Sequence, residues 1–331
     1  MHFLNIENVC VGDIVAVPVK DYENRMLIGA GKVISKKMLG HLEDLGVTGV
    51  YVTDNLVEDF IPDQTISHEL KSMTIRNLKK LNMDFALGNA RDIVNSLCDN
   101  PQCDYLNSKT FDDYTYEHSI SVAIYATLVG IADGMNREQL YKLAYAGLLH
   151  DIGKMSISKD ILNKPDKLTF DEYEEVKRHP EYGYNLFKDN YDIGATTKMG
   201  IYEHHENEDG SGYPRGLTGD KIYKFAKIVH VVDVYDALVS KRPYKEPLTP
   251  AESLEYLKKN KGILFDSKYV DIFVNIVPAY PKGIMVNLSN GEIGIVLQNH
   301  IGNVLRPKIK LIDGEEIDLA TDIRYKNFSI I

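Results

Sequence analysis

Cysteine is scarce in this chain of 331 residues: Cys10, Cys98 and Cys103 make no Cys-x-x-Cys pair and leave an odd thiol. That pattern argues against secretion and points to a reducing compartment. Long apolar runs are missing too. The longest, Ser119 to Ala132, falls short of the ~18 apolar residues that a membrane span requires, and no charged segment followed by an apolar run opens the chain. A cytoplasmic location with no membrane span is the expectation. Positive charge is in deficit, with Lys+Arg 38 against Asp+Glu 48 and a formal net charge of -10. Affinity for duplex nucleic acid comes from Lys and Arg displacing counterions, which argues against a protein whose main work is gripping that polyanion. Phosphate binding at a metal or a small basic cluster stays open. What the chain does contain is an ordinary globular composition, 44% hydrophobic and 26% charged, with length for two or three folded units at about 150 residues each. Its ten His residues matter through where they fall.

Periodicity divides the chain into four expected parts: a small β-rich domain over 1–54, a helical connector over 55–104, a helical domain over 105–281 and a β appendage over 282–331. In the first, Val11 to Val17 alternates like a strand, Leu27 to Val33 is a second candidate, Ser35 to Leu45 reads as a helix and Val50 to Val52 as a closing strand. Gly29-Ala30-Gly31-Lys32 is a turn, because Met26 stands where a phosphate-binding loop needs Gly and Val33 where it needs Ser or Thr. In the helical domain, Asp112 or Asp113 can cap a helix ended by Gly134, with an apolar stripe through Val122, Tyr125, Val129 and Ala132 that also carries His118. Asn136 with Gln139, and Thr169 with Glu172, form capping boxes, and Thr249-Pro250 with Glu252 gives a further helix start. After Pro281 the period becomes two, with Asn290-Gly291 and Asp313-Gly314 as hairpin turns.

His118, His150-Asp151, His179, His204-His205 and Asp233, with His230 nearby, carry the chemistry. Alone, His118 reads as a satisfied core histidine and Asp233 as a buried carboxylate bonded to a neighbour. Together they are separate helices delivering ligating groups from apolar surfaces, and burying so many polar groups is costly unless a cation pairs with them. Imidazole and carboxylate without thiolate suit iron, manganese or zinc, and tell against a closed structural zinc site. Seven protein groups exceed the needs of one ion and point to two, sharing Asp151 as the bridge. Two ions ~3.5 to 4 Å apart can hold a hydroxide and clamp a phosphate undergoing in-line displacement, so phosphodiester hydrolysis is the favoured reaction class.

The ordered set His150-Asp151-Ile152-Gly153-Lys154, Arg178-His179-Pro180, His204-His205-Glu206 through Gly212-Tyr213-Pro214, and Asp233-Val234-Tyr235-Asp236 resembles the HD-GYP phosphodiesterase family, from about Arg91 to Pro281. The resemblance implies a mainly α protein: an all-helical HD-superfamily catalytic domain with a β-rich N-terminal unit and a C-terminal β-hairpin appendage. It implies hydrolysis of cyclic di-GMP to pGpG, and in many members on to GMP. One metal would be held by His118, His150, Asp151 and Asp233, the second by Asp151, His179, His204 and His205. Lys154 matches a lysine at the scissile phosphate or bridging water, where a fixed cation stabilises developing charge. Gly212 and Tyr213 match the loop that names the family, which by the resemblance would border substrate and contact partner diguanylate cyclase domains. Arg242 and Lys245 match basic residues that hold the dinucleotide, and Asp236 a carboxylate that orients a ligand or Arg242. The helical connector and the resemblance together suggest a homodimer.

One position departs from the family. Members with a third metal carry Glu one helical turn before the first His, where this chain has Tyr114. Glu117, adjacent to His118, points about 100° away around the helix and is no simple replacement. Two metals, iron or manganese, are therefore expected. Competing readings are hydrolysis of another nucleotide or cyclic dinucleotide, and a non-catalytic dinucleotide receptor. Single-metal HD hydrolases need only His, His-Asp and Asp, so His179 and His204-His205 weigh against them. Loss of a ligand or of Lys154 would favour a receptor, and no such loss is present.

Overall fold

The computed structural model describes residues 2–21, 25–45, 47, 49–53, 66–100, 114–164, 166–240, 247–280 and 282–331. The expected caps at Asp112 and Asp113, and Cys103, Arg242 and Lys245, lie outside the described residues. The chain forms two compact units, one of Met1–Met83, Gln102–Glu117 and Val277–Ile331, the other of Asp84–Pro101 and His118–Ile276. The architecture is mainly α, as the sequence leads one to expect.

In the first unit, β1 (His2–Asn5) pairs antiparallel with β4 (Gly49–Val52), and β2 (Val19–Lys20) with β3 (Met26–Ile28). Helix α1 (Lys36–Asp44) starts where Ser35 accepts the Met38 amide, and Leu42 joins Val15, Ile28, Ile34, Val50 and Val52 in the core. The alternation over Val11–Val17 does not become a strand. Ile14 bridges Val33 while Val15 bridges Val52, so the segment crosses between two partners instead of running along one edge. The second candidate strand shortens to β3, because Ala30-Gly31 turns with Gly31 at φ 75°. β1 is the strand that its sequence does not announce. Helix α2 (His68–Lys79) is capped by Ser67, and its buried Lys71 pairs with Glu117 at 3.1 Å. The two expected C-terminal hairpins, β5 (Met285–Asn287) with β6 (Ile293–Gln298) and β7 (Lys308–Leu311) with β8 (Glu316–Asp318), join through a β6–β7 ladder into one four-stranded antiparallel sheet.

The second unit is helical. Helix α3 (Met83–Asp99) buries Ala86, Ala90, Ile93 and Leu97 on one face. It is tied to α5 (Arg137–Leu149) by Arg91 Nε to Tyr145 Oη at 2.6 Å and by Tyr141 Oη to Asn95 Oδ1 at 2.9 Å. Helix α4 (Tyr114–Ala132) is not the amphipathic helix that its stripe suggests: every residue from Glu117 to Gly130 is buried. A helix enclosed on all sides needs no polar face, which is why Ser121 and Thr127 are buried as well, Thr127 returning its hydroxyl to Ala123 O at 2.7 Å. Short helices α6 (Lys159–Leu162) and α7 (Phe170–Val176) follow, then α8 (His179–Phe187), α9 (Ala195–Tyr202), α10 (Lys224–Val239), α11 (Pro250–Lys259) and α12 (Ser267–Ile276). All three capping motifs read from the sequence form as reciprocal boxes, at α5, α7 and α11. Tyr125 of α4, Tyr235 of α10 and Phe273 of α12 meet edge to face, with centroids 4.9 to 5.7 Å apart, and lock α10 against α4. No helix among the described residues is long and apolar enough to cross a membrane.

Candidate metal centre

Helix ends set most of the site. His150 is the C-cap of α5 and Asp151 opens the 3-10 turn Ile152–Ser156; His179 is the first residue of α8; His204 and His205 follow the end of α9. His118 comes from buried α4, and Asp233 and Asp236, three residues apart, share a face of α10. Gly153 lets these ends converge, since a Cβ there would collide with His179 O.

Three imidazoles are oriented by backbone. His150 Nδ1 donates to Gly147 O at 2.8 Å, His179 Nδ1 to Val176 O at 2.7 Å and His204 Nδ1 to Ile201 O at 2.7 Å. His118 Nδ1 donates to Asp236 Oδ2 at 2.7 Å. Each partner is an acceptor only, so Nδ1 carries the proton, and the three backbone-tethered rings turn a bare Nε2 inward when neutral. Asp151 Oδ2 lies 2.6 Å from Lys154 Nζ, 3.4 Å from His150 Nε2 and 3.9 Å from His118 Nε2, while Oδ1 lies 3.3 Å from His179 Nε2. Asp233 Oδ1 is 3.0 Å from His118 Nε2 and 3.8 Å from His150 Nε2. Ligand atoms of Asp151, His179, His204 and His205 lie within 4.8 Å of one another, as do those of His118, His150 and Asp151, and those of His150, His204 and Asp233.

These groups fit a cation and little else. His150 Nε2 and Asp151 Oδ1 are buried with no hydrogen-bond partner. His179 Nε2 and His204 Nε2 stand 3.2 Å apart, two lone pairs facing each other once both Nδ1 protons are spent on carbonyls. Such an arrangement is repulsive until a positive charge enters it.

Burial alone drives imidazoles toward neutrality and carboxylates toward their acids. For His179 burial prevails, aided by Lys154 against Asp151, and its pKa falls to about 4. His204 and His205 fall well below the ordinary value for the same first reason. His118 goes the other way, since Asp233 and Asp236 outweigh burial and push it up to about 9. Burial also opposes ionisation of Asp151 and Asp233, yet Lys154 and His150 for the former, and His118 and His150 for the latter, hold both well below the carboxylate range.

The Gly-Tyr-Pro loop closes over this centre. Tyr213 stacks on His205, centroids 4.7 Å apart at 28°, and its amide donates to His205 O at 3.1 Å. Gly212 is required there, because a Cβ would run into Asn207 N and His205 O. Two carboxylates that sequence reading missed fasten the loop. Glu206 accepts the amides of Arg215 at 2.7 Å and Leu217 at 2.8 Å; Glu203 accepts Arg215 Nη1 at 3.0 Å and the Tyr223 amide at 2.8 Å. Burial pushes the Glu203 pKa up against these donors. His230 stands outside the three ligand sets and supports the loop, 3.1 Å from Asn207 Oδ1, while Asn207 Nδ2 donates to Ser211 Oγ. Tyr114 opens α4, its side chain lying outside the described residues, and Glu117 is committed to Lys71.

A buried cradle of imidazoles and ionised carboxylates at converging helix ends defines a helical metal-binding protein. Comparison with known families matches the HD domain over residues 97–269, and the chain belongs to the HD-domain family. Its His150-Asp151 pair and Gly212-Tyr213-Pro214 loop are the motifs of the HD-GYP type. The chain is 40% identical over 205 residues to the cyclic di-GMP phosphodiesterase PA4108 of Pseudomonas aeruginosa, covering 61% of this chain and 49% of the relative. It is 35% identical over 161 residues to the 3'3'-cGAMP-specific phosphodiesterase 2 of Vibrio cholerae, covering 48% of this chain and 31% of the relative. The chain thus spans about half the length, or less, of these curated relatives. The fold is similar to that of Bd1817, an HDG"Y"P protein from Bdellovibrio bacteriovorus, at a TM-score of 0.54 and 16% identity, over 82% of this chain and 97% of that one.

Proposed function

We propose that this chain is a metal-dependent phosphodiesterase that hydrolyses cyclic di-GMP to pGpG, with two divalent ions, iron or manganese. His118, His150, Asp151 and Asp233 would hold one ion, and Asp151, His179, His204 and His205 the other. The observation that carries this reading is the division of Asp151: one oxygen faces His150 and His118, the other His179. Bound ions would supply Lewis acidity to the phosphate and a water ionised near neutral pH. The chain's own residues do the rest. Asp151 and Asp233 enter the site already ionised, and the backbone-tethered imidazoles need no reorganisation to present Nε2. Lys154, with its side chain 32% exposed and Nζ on Asp151 Oδ2, places a cation at the rim where negative charge on a phosphate grows. Tyr213 covers one face of the His205 ring.

The test is direct. Protein loaded anaerobically with iron or manganese should convert cyclic di-GMP to pGpG or GMP, Asp151→Ala should abolish turnover, and Lys154→Met should lower kcat by about 10²- to 10³-fold while metal stays bound. No turnover with two metals bound would leave a dinucleotide receptor in its place, and a stoichiometry near three would overturn the inference from Tyr114. A second reading, hydrolysis of another cyclic dinucleotide, is favoured by the cGAMP specificity in the name of the Vibrio cholerae relative. Comparing kcat/KM for cyclic di-GMP and 3'3'-cGAMP separates the two.

A further inference from the structure

Helix α7 carries Phe170 and Tyr173 on the face that continues to its C-cap Lys177, at spacings of three and four residues. Both rings face solvent, Phe170 76% and Tyr173 51% exposed. Nothing in the helix's own stability needs them there: its start is fixed by the Thr169–Glu172 box, and Glu172 is held again by Lys164 Nζ at 2.6 and 2.8 Å. Lys177 Nζ sits between two aromatic rings, 5.4 Å from the Tyr173 centroid and 5.9 Å from that of Tyr213. Tyr213 in turn stacks on His205. A line of ring faces and one cation therefore runs from the metal centre outward to the half-exposed Tyr173.

We propose that Tyr173, backed by Lys177, forms a nucleobase platform beside the metal centre, on which one purine of a cyclic dinucleotide stacks while its phosphate lies at the ions. This rests on the reading of the substrate as a cyclic dinucleotide and adds Tyr173 and Lys177 to its substrate contacts. Aromatic faces flanked by a cation are the pairing that single-stranded nucleotides meet on binding proteins: the ring stacks on the base and the cation answers the charge of the backbone. Lys177 is steadied by Glu174 at 2.5 Å, so its ammonium is placed before the ligand arrives. Stacking reads the face that guanine and adenine share, so the platform holds a purine without selecting between the two.

The absence of Trp from the chain gives a clean probe. In Tyr173→Trp holoenzyme the only indole would lie on the platform, and titration with a bis-phosphorothioate analogue of cyclic di-GMP, which resists hydrolysis, should quench its emission saturably. Tyr173→Ala should raise KM for cyclic di-GMP about tenfold with little change in kcat, and Tyr173→Phe should restore KM. Parent-like KM in Tyr173→Ala, or an indole blind to the analogue while the parent still turns over, would overturn the platform and leave the catalytic reading intact. A parent that neither binds nor cleaves the dinucleotide would remove the catalytic reading, and the platform with it.

Discussion

Glu206 is 2% exposed and spends both carboxylate oxygens on backbone amides, Oε1 on Arg215 and Oε2 on Leu217. Glu206→Gln preserves its size and exchanges one acceptor for an NH2 group. Whichever way the amide turns, one of the two backbone N–H groups then faces another donor. A hydrogen bond to a charged acceptor contributes ~1.5 to 3 kcal/mol, and a buried donor left without a partner costs ~1 to 3 kcal/mol. Because the loop can shift to relieve part of this, the two penalties do not simply add, and a net loss of about 2 to 3 kcal/mol is expected. That corresponds to about 30- to 150-fold more frequent local opening. Native-state amide exchange reads it directly: the Arg215 and Leu217 amides should exchange faster by that factor, while amides in α4 and α5 keep their rates. Since Tyr213 rides on the same loop, kcat/KM should fall in parallel. Exchange at both amides within twofold of the parent would refute the assignment of Glu206 as the fastener of the loop.

Other outcomes follow from the same geometry. Asp236→Asn weakens the 2.7 Å bond that orients His118 and should lower metal affinity about 10- to 100-fold in a metal-buffered titration; unchanged affinity would strip Asp236 of that role. Gly153→Ala puts a methyl group against His179 O and Gly183 N and should cost more than the ~1 to 3 kcal/mol of ordinary overpacking, so a parent-like thermal melt would contradict the close approach. Chelation should lower Tm, by the equivalent of ~4 kcal/mol relative to metal at a thousand times its Kd, because the buried His150 Nε2 and Asp151 Oδ1 lose their partner; a Tm insensitive to metal would argue against ligation there.

What the sequence showed depended on how local the determining interaction is. Capping boxes at Asn136, Thr169 and Thr249 span three residues and were readable as written. The groups brought together at the centre were readable because imidazoles and carboxylates on apolar stretches are too costly to bury in such number without a cation among them. Glu203 and Glu206 were not, because their partners lie nine to twenty residues downstream, and all but the Arg215 guanidinium are backbone amides that leave no mark in the sequence. The same holds for β1, whose pairing with β4 joins residues some fifty positions apart, and for Val11–Val17, where alternation marks burial on one side without saying that two different partners divide the segment. In α4, an apolar stripe was visible, but only packing reveals that the opposite side is enclosed too.

The way in which the imidazoles are tethered bears on how such a centre can diverge. For His150, His179 and His204 the proton on Nδ1 answers to a main-chain carbonyl three residues back, which every amino acid supplies. Substitution cannot readily retune those rings without unmaking a helix end. His118 alone among these four takes its orientation from a side chain, Asp236. Variation at one position of α10 can therefore make that ring a stronger or weaker electron donor while the rest of the cradle stays fixed, so this position is where descendants of one scaffold could drift toward different metals.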